Sequence, residues 1–71
     1  MGNLYYFNSN TDIHNYHEVH KDNCSFLPSV LNRTYLGLFN TDNDAMREAR
    51  AKYPFKKFDG CAYCMPIFHR G

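Results

Sequence analysis

Much of what would assign a protein to a functional class is missing from this sequence. No stretch of its 71 residues approaches the roughly 20 consecutive apolar positions of a membrane span. The opening residues, Met1-Gly2-Asn3-Leu4-Tyr5-Tyr6-Phe7, hold neither a basic segment nor an apolar run. A secretory signal is therefore not expected there, and the segment reads as a strand. Tyr6 stands where a myristoylation signal needs Ser or Thr. There is no glycine-rich loop to cradle a phosphate, no Ser/His/Asp set and no catalytic carboxylate pair, so an enzyme is not expected. Strong charge of one sign is lacking too. Eight Lys and Arg against seven Asp and Glu leave +1, whereas nucleic-acid binders are usually strongly basic. The second half, residues 41–71, is the more basic, with six basic and four acidic side chains, an imbalance too small to name a partner. Cysteine is scarce and odd in number. Three cannot all pair within one chain, which argues against a secreted disulfide framework and for a reduced, cytoplasmic protein.

A chain this short buries only about 60% of its unfolded surface, so its core is marginal without a disulfide or metal. Leu and Ile are few, but twelve Phe and Tyr can build a core because each buries a large area. One domain over residues 1–71, monomeric, is the expectation.

Local patterns place the elements. Leu4–Asn8 reads as an aromatic strand, residues 8–15 as a polar turn cluster, and Tyr16–His20 as a second strand completing a hairpin. Strand parity puts His17 and Val19 on one face, with Tyr16, Glu18 and His20 on the other. Leu27–Arg33 is a connection, since Pro28 opposes ladder pairing. Thr34–Phe39 is a third strand in which Gly37 suggests close backbone packing or a bulge. A helix follows, with Thr41 as N-cap, Asp42 and Asp44 in the first turn, and Ala45, Met46, Ala49 and Tyr53 as its apolar stripe. Pro54 ends it. The expected fold is α+β: a three-stranded antiparallel sheet with one helix packed on it.

The chemistry lies in Gly60-Cys61-Ala62-Tyr63-Cys64-Met65-Pro66. Two cysteines two residues apart can reach one tetrahedral ion, and zinc prefers thiolate and imidazole ligands. Cys24 supplies a third sulfur. The fourth ligand must come from His14, His17, His20 or His69. His20 is separated from Cys24 by three residues and is favoured; His69 is within reach of Cys64 by spacing; His17 shares a face with Val19. A redox role for the Cys-x-x-Cys pair expects its first cysteine at a helix N-terminus. Here the pair follows the helix and Pro66 comes two residues later. Such a zinc ion would close the 36-residue stretch between Cys24 and Cys61. Structural zinc in small peptides is worth an apparent ~10–16 kcal/mol.

Other residues carry weaker signals. Glu18 could orient His17 or His20 as an acceptor, or be a plain exposed strand residue. Lys56-Lys57 between Phe55 and Phe58 resembles the basic, aromatic-interleaved surfaces of single-strand binders. The plainer reading is a solvated turn with its aromatics in the core.

The order His20-x-x-x-Cys24, strand, Thr-capped helix, Gly60-Cys61-x-x-Cys64-x-Pro66 resembles the Ada-type metal-binding fold, over roughly residues 17–66. That family includes the zinc domain of the DNA methylphosphotriester repair protein. The chain also resembles small stand-alone bacterial proteins of this layout. The resemblance implies that His20, Cys24, Cys61 and Cys64 are the zinc ligands. In the repair protein the first ligand is a cysteine that accepts the methyl group; here His20 holds that position, and imidazole cannot fill the same role. The basic DNA-facing surface and adjoining DNA-binding module have no counterpart in this sequence. The expected function is thus a non-enzymatic zinc module binding a protein or a nucleic acid. The contrasting one is a thiolate alkyl acceptor.

Overall fold

The computed structural model describes residues 2–70; Met1 and Gly71, the outer bounds of the expected domain, lie outside the described residues. Strand β1 is Asn3–Asn8, β2 His17–Lys21, β3 Arg33–Phe39 and β4 Phe58–Gly60. The helix, α1, is Asp42–Lys52. Short 3-10 turns lie at Val30–Asn32 and Pro66–Phe68.

The sheet has four strands in the order β3-β1-β2-β4, which corrects the expected three-stranded antiparallel arrangement. β1 pairs antiparallel with β2 and β3, as a hairpin predicts, but β4 runs parallel to β2 with Val19 opposite Gly60. Residues 58–60 escape sequence reading because Asp59 and Gly60 are poor strand formers. What makes them a strand is a partner some 40 positions away.

Gly37 has φ of +140°, a conformation that residues with a Cβ rarely adopt. Beside it, the β1–β3 register slips between Tyr5 and Tyr6, leaving Leu36 as the extra residue of a bulge.

Local signals set α1. The Thr41 hydroxyl accepts the Asp44 N–H at 3.1 Å, and Asp42 and Asp44 sit at the positive end of the helix dipole. Lys52 is the last helical residue before Tyr53 and Pro54. Ala45, Met46 and Ala49 are buried as the stripe requires, packing with Tyr5, Phe7, Val19, Leu36, Phe58 and Met65. Phe7 makes edge-on contacts with His17, Tyr53 and Phe58 at centroid distances of 5.4, 5.3 and 5.0 Å. Each such ring pair adds ~0.5–1.5 kcal/mol beyond area burial, which matters in a core short of Leu and Ile. The Tyr5 hydroxyl donates to Asp42 Oδ1 at 2.6 Å, and Lys21 Nζ lies 3.4 Å from the same oxygen. The helix start is thereby tied to both central strands.

Met46 is fully buried at the helix–sheet contact. Met46→Ala is expected to cost ~2–5 kcal/mol in urea unfolding, because little can collapse into the space. Arg47→Ala, one position along on the exposed side, should change stability by less than ~0.5 kcal/mol.

Candidate metal centre

The end of β2 and the two turns beside it build the site. His20 is the penultimate residue of β2, buried opposite Tyr6 of β1. The Cys24 N–H bonds the Lys21 carbonyl at 3.1 Å, closing a tight turn. That turn returns the Cys24 sulfur to 3.6 Å from His20 Nδ1. From the other side the Cys61 N–H bonds the Val19 carbonyl at 3.0 Å, extending the parallel β2–β4 ladder by one residue. Cys61 therefore arrives beside His20, its sulfur 3.8 Å from that of Cys24. The Met65 N–H bonds the Cys61 carbonyl at 2.9 Å and folds Cys64 back to the same point.

Gly60 is required by this geometry. A Cβ there would lie 2.7 Å from Phe68 Cβ and 2.8 Å from the Met65 carbonyl oxygen, so the cysteine turn packs directly on its backbone.

One ligand atom from each of His20, Cys24, Cys61 and Cys64 lies within 4.8 Å of all the others. All three cysteines are free. Tetrahedral zinc, with Zn–S of about 2.3 Å and Zn–N of about 2.05 Å, implies S···S edges near 3.8 Å and S···N edges near 3.6 Å. The Cys24–Cys61 and Cys24–His20 spacings match those edges. The donor set fits a metal on chemistry as well as spacing. Three thiolates and an imidazole suit zinc better than calcium or magnesium, which take oxygen ligands.

The surroundings act on the clustered donor atoms. The Lys21 N–H points at the Cys64 sulfur and the Tyr63 N–H at the Cys61 sulfur, each at 3.5 Å. These weak donors strengthen once the sulfur is an anion. Burial lowers the His20 pKa, which favours the neutral ring that binds metals. Its Nε2 lies 3.7 Å from Glu18 Oε1, outside hydrogen-bonding range, while Nδ1 faces the Cys24 sulfur. Burial, followed by the neighbouring Cys24 and Cys61, pushes the Cys64 thiol up to about 12.

The other histidines are engaged elsewhere. His17 Nδ1 donates to the Asn8 carbonyl at 2.8 Å, with its ring against Phe7 and Phe58 in the core. His69 Nδ1 donates to the Gly60 carbonyl at 2.9 Å and lies 3.4 Å from Asp59 Oδ2. His14 is exposed in the polar loop. Asp59 precedes the cysteine turn in sequence, and no local pattern marks a role for it. It is buried, and its Oδ1 accepts the N–H groups of Gly60 at 3.1 Å and Arg70 at 2.8 Å. It thereby pins the chain after the turn to the strand before it.

The cluster is reached from one side. A cleft of about 270 Å3, lined by Asn23, Ser25, Phe26, Tyr63 and the sulfur-bearing Cys24 and Cys64, opens on it. Phe26 and Tyr63 stack across the two turns at 4.1 Å between ring centroids, 20° from parallel.

Comparison with protein-family models, with curated proteins and with solved structures returned no match to this chain. Fold and cluster alone therefore define the class: a small α+β protein with a His/Cys3 cluster able to hold a metal ion.

At neutral pH the Cys64 proton must leave for its sulfur to bind a metal. Loading is therefore expected to release protons, and apparent affinity should rise as pH increases from about 6 to about 8. Calorimetric titration in two buffers of different ionisation enthalpy measures the release. Equal heats in both would contradict it.

Proposed function

We propose that this chain is a small non-enzymatic binding module whose fold is held by one structural zinc ion on His20, Cys24, Cys61 and Cys64. The observation that carries the reading is the convergence of four soft donor atoms within 4.8 Å from two sequence-distant turns. Bound zinc would crosslink those turns and hold the three sulfurs as thiolates. With four protein ligands the site is closed, as structural zinc sites are. The Ada-type resemblance in the order of ligands, strand, helix and Cys-x-x-Cys-x-Pro supports the same ligand set. Three unbonded cysteines suit a reducing compartment, and the reading places the protein in the cytoplasm. Among the described residues no helix is long and apolar enough to cross a membrane.

The module reading predicts about one equivalent of zinc by elemental analysis and loss of structure on adding a chelator. Cys61→Ser should lose both metal and fold, whereas His69→Ala should keep the metal. Retained zinc and fold in Cys61→Ser would refute the reading.

The cleft over Cys24 and Cys64 favours a second reading, alkyl acceptance by a zinc-bound thiolate. The sulfur would attack a phosphotriester methyl carbon, the S–C bond forming as the O–CH3 bond breaks. The oxygen would leave with the electron pair as a phosphodiester anion. Mass spectrometry of the zinc-loaded chain after exposure to a methyl phosphotriester oligonucleotide separates the two. The structural module remains unmodified; a methyl group on Cys24 or Cys64 would establish the acceptor.

A further inference from the structure

The near-neutral charge of the chain conceals a segregated one. A second, larger cleft of about 500 Å3 shares no residue with the cysteine cluster. Arg50, Lys56, Lys57 and Arg70 line it, which is half of the eight Lys and Arg in the sequence. None of the seven Asp and Glu does. Among the described residues, Arg50, Lys56, Lys57 and Arg70 form no ion pair; the pairs of Lys21 with Asp42 and of Arg47 with Asp44 lie elsewhere. Unpaired cations converging on a concavity raise the local anion concentration far more than a net charge of +1 suggests.

The cations stand on a fixed backbone. The Lys57 carbonyl accepts the His17 N–H of β2 at 2.8 Å, and the Lys56 N–H bonds the Tyr53 carbonyl at 3.1 Å. The Arg70 N–H is held by buried Asp59 at 2.8 Å. Arg50 projects from the last turn of α1. Little backbone entropy remains to be lost when an anion binds.

Between the cations the walls are aromatic: Tyr16 and Phe68, both half-buried, and the edge of core residue Phe58. Phe55, between the lining residues Pro54 and Lys56, is 99% exposed. The plainer sequence reading of this turn, solvated lysines with both aromatics in the core, holds for Phe58 and fails for Phe55. A volume of about 500 Å3 falls within the ~300–1,000 Å3 of small-ligand sites.

We propose that this cleft binds a nucleotide unit, its phosphate held by Arg50, Lys56, Lys57 and Arg70 and its base laid against Tyr16 and Phe68. Arg supplies the forked donors that match phosphate oxygens, Lys adds point charge, and an aromatic face accepts any base by stacking. The unit can come from a free nucleotide or from a single strand threaded through the cleft. The proposal names the ligand of the binding module described above. It rests on that reading only in needing the metal-held fold.

The test is a fluorescence-anisotropy titration of the full chain with labelled oligothymidylate, competed with adenosine monophosphate or inorganic phosphate. Zinc content and circular dichroism are measured on the same samples, so that loss of the module and an empty cleft are told apart. The expected result is saturable binding that falls as salt rises and weakens about tenfold or more in Lys56→Glu/Lys57→Glu. Arg47→Glu, of equal charge type but outside the cleft, should change affinity less than about twofold. Amide shifts of Lys57, Phe68 and Arg70 on adding adenosine monophosphate to the unmutated chain provide a readout independent of the variants. Adenosine monophosphate competing as well as the strand on a per-nucleotide basis assigns the free nucleotide, and a stronger strand assigns nucleic acid; both support the proposal. Inorganic phosphate competing as well as adenosine monophosphate would remove the base from it. No binding by a zinc-loaded, folded chain, or equal loss in Arg47→Glu, would overturn it.

Discussion

The rest of the structure depends on the parallel pairing of β4 with β2 and its one-residue extension from Val19 to Cys61. That hydrogen bond sets Cys61 beside His20, and the two flanking turns add Cys24 and Cys64 to the same point. A three-residue edge strand is little to hold a chain end. Among the described residues the core cluster, mostly small or aromatic, leaves correspondingly little margin. A metal joining the two turns would supply what the short ladder lacks. Because the unfolded chain holds no preformed site, the free energy of metal binding would add directly to that of folding.

The two ends of this construction differ in chemistry. At one end the cysteine turns carry soft donors, with backbone N–H groups aimed at sulfur and a stacked Phe26–Tyr63 pair over the opening. At the other, the helix exit, the loop before β4 and the last described residues gather unpaired cations around aromatic walls. Asp59 belongs to both. It lies between Phe58, which lines the basic cleft, and Gly60, on which the cysteine turn packs, and its carboxylate holds Arg70 in place. A single buried carboxylate thus couples the positioning of the proposed anion site to the strand that delivers Cys61.

How much of this was legible in the sequence follows from the range of the interactions involved. The helix was, because Thr41, the acidic first turn, the Ala45–Met46–Ala49 stripe and Pro54 all act within a few residues. The hairpin was legible for similar reasons, and a bulge at Gly37 was one of the two readings its sequence offered. Strand β4 was not, since Phe58–Gly60 becomes a strand only by pairing with a segment brought alongside by the intervening fold. Spacing singled out the three cysteines and favoured His20 without excluding His69 or His17, and the full set of four came only with the Ada-type resemblance. The structure places His20 in the cluster, while one hydrogen bond to Gly60 and a contact with Asp59 engage His69, and these exist only in three dimensions. The basic cleft was half visible. Lys56 and Lys57 were noticed as a pair, but Tyr16, Arg50 and Arg70 join them only through the fold, and a net charge averages such segregation away.

X-ray absorption at the zinc edge of the purified chain tests whether one metal is held by three sulfurs and one imidazole nitrogen. The expected result is a four-coordinate shell of three sulfurs at about 2.3 Å and one nitrogen at about 2.0–2.1 Å, with the outer-shell signature of a histidine ring. A shell with two sulfurs or fewer, or one dominated by oxygen, would contradict it.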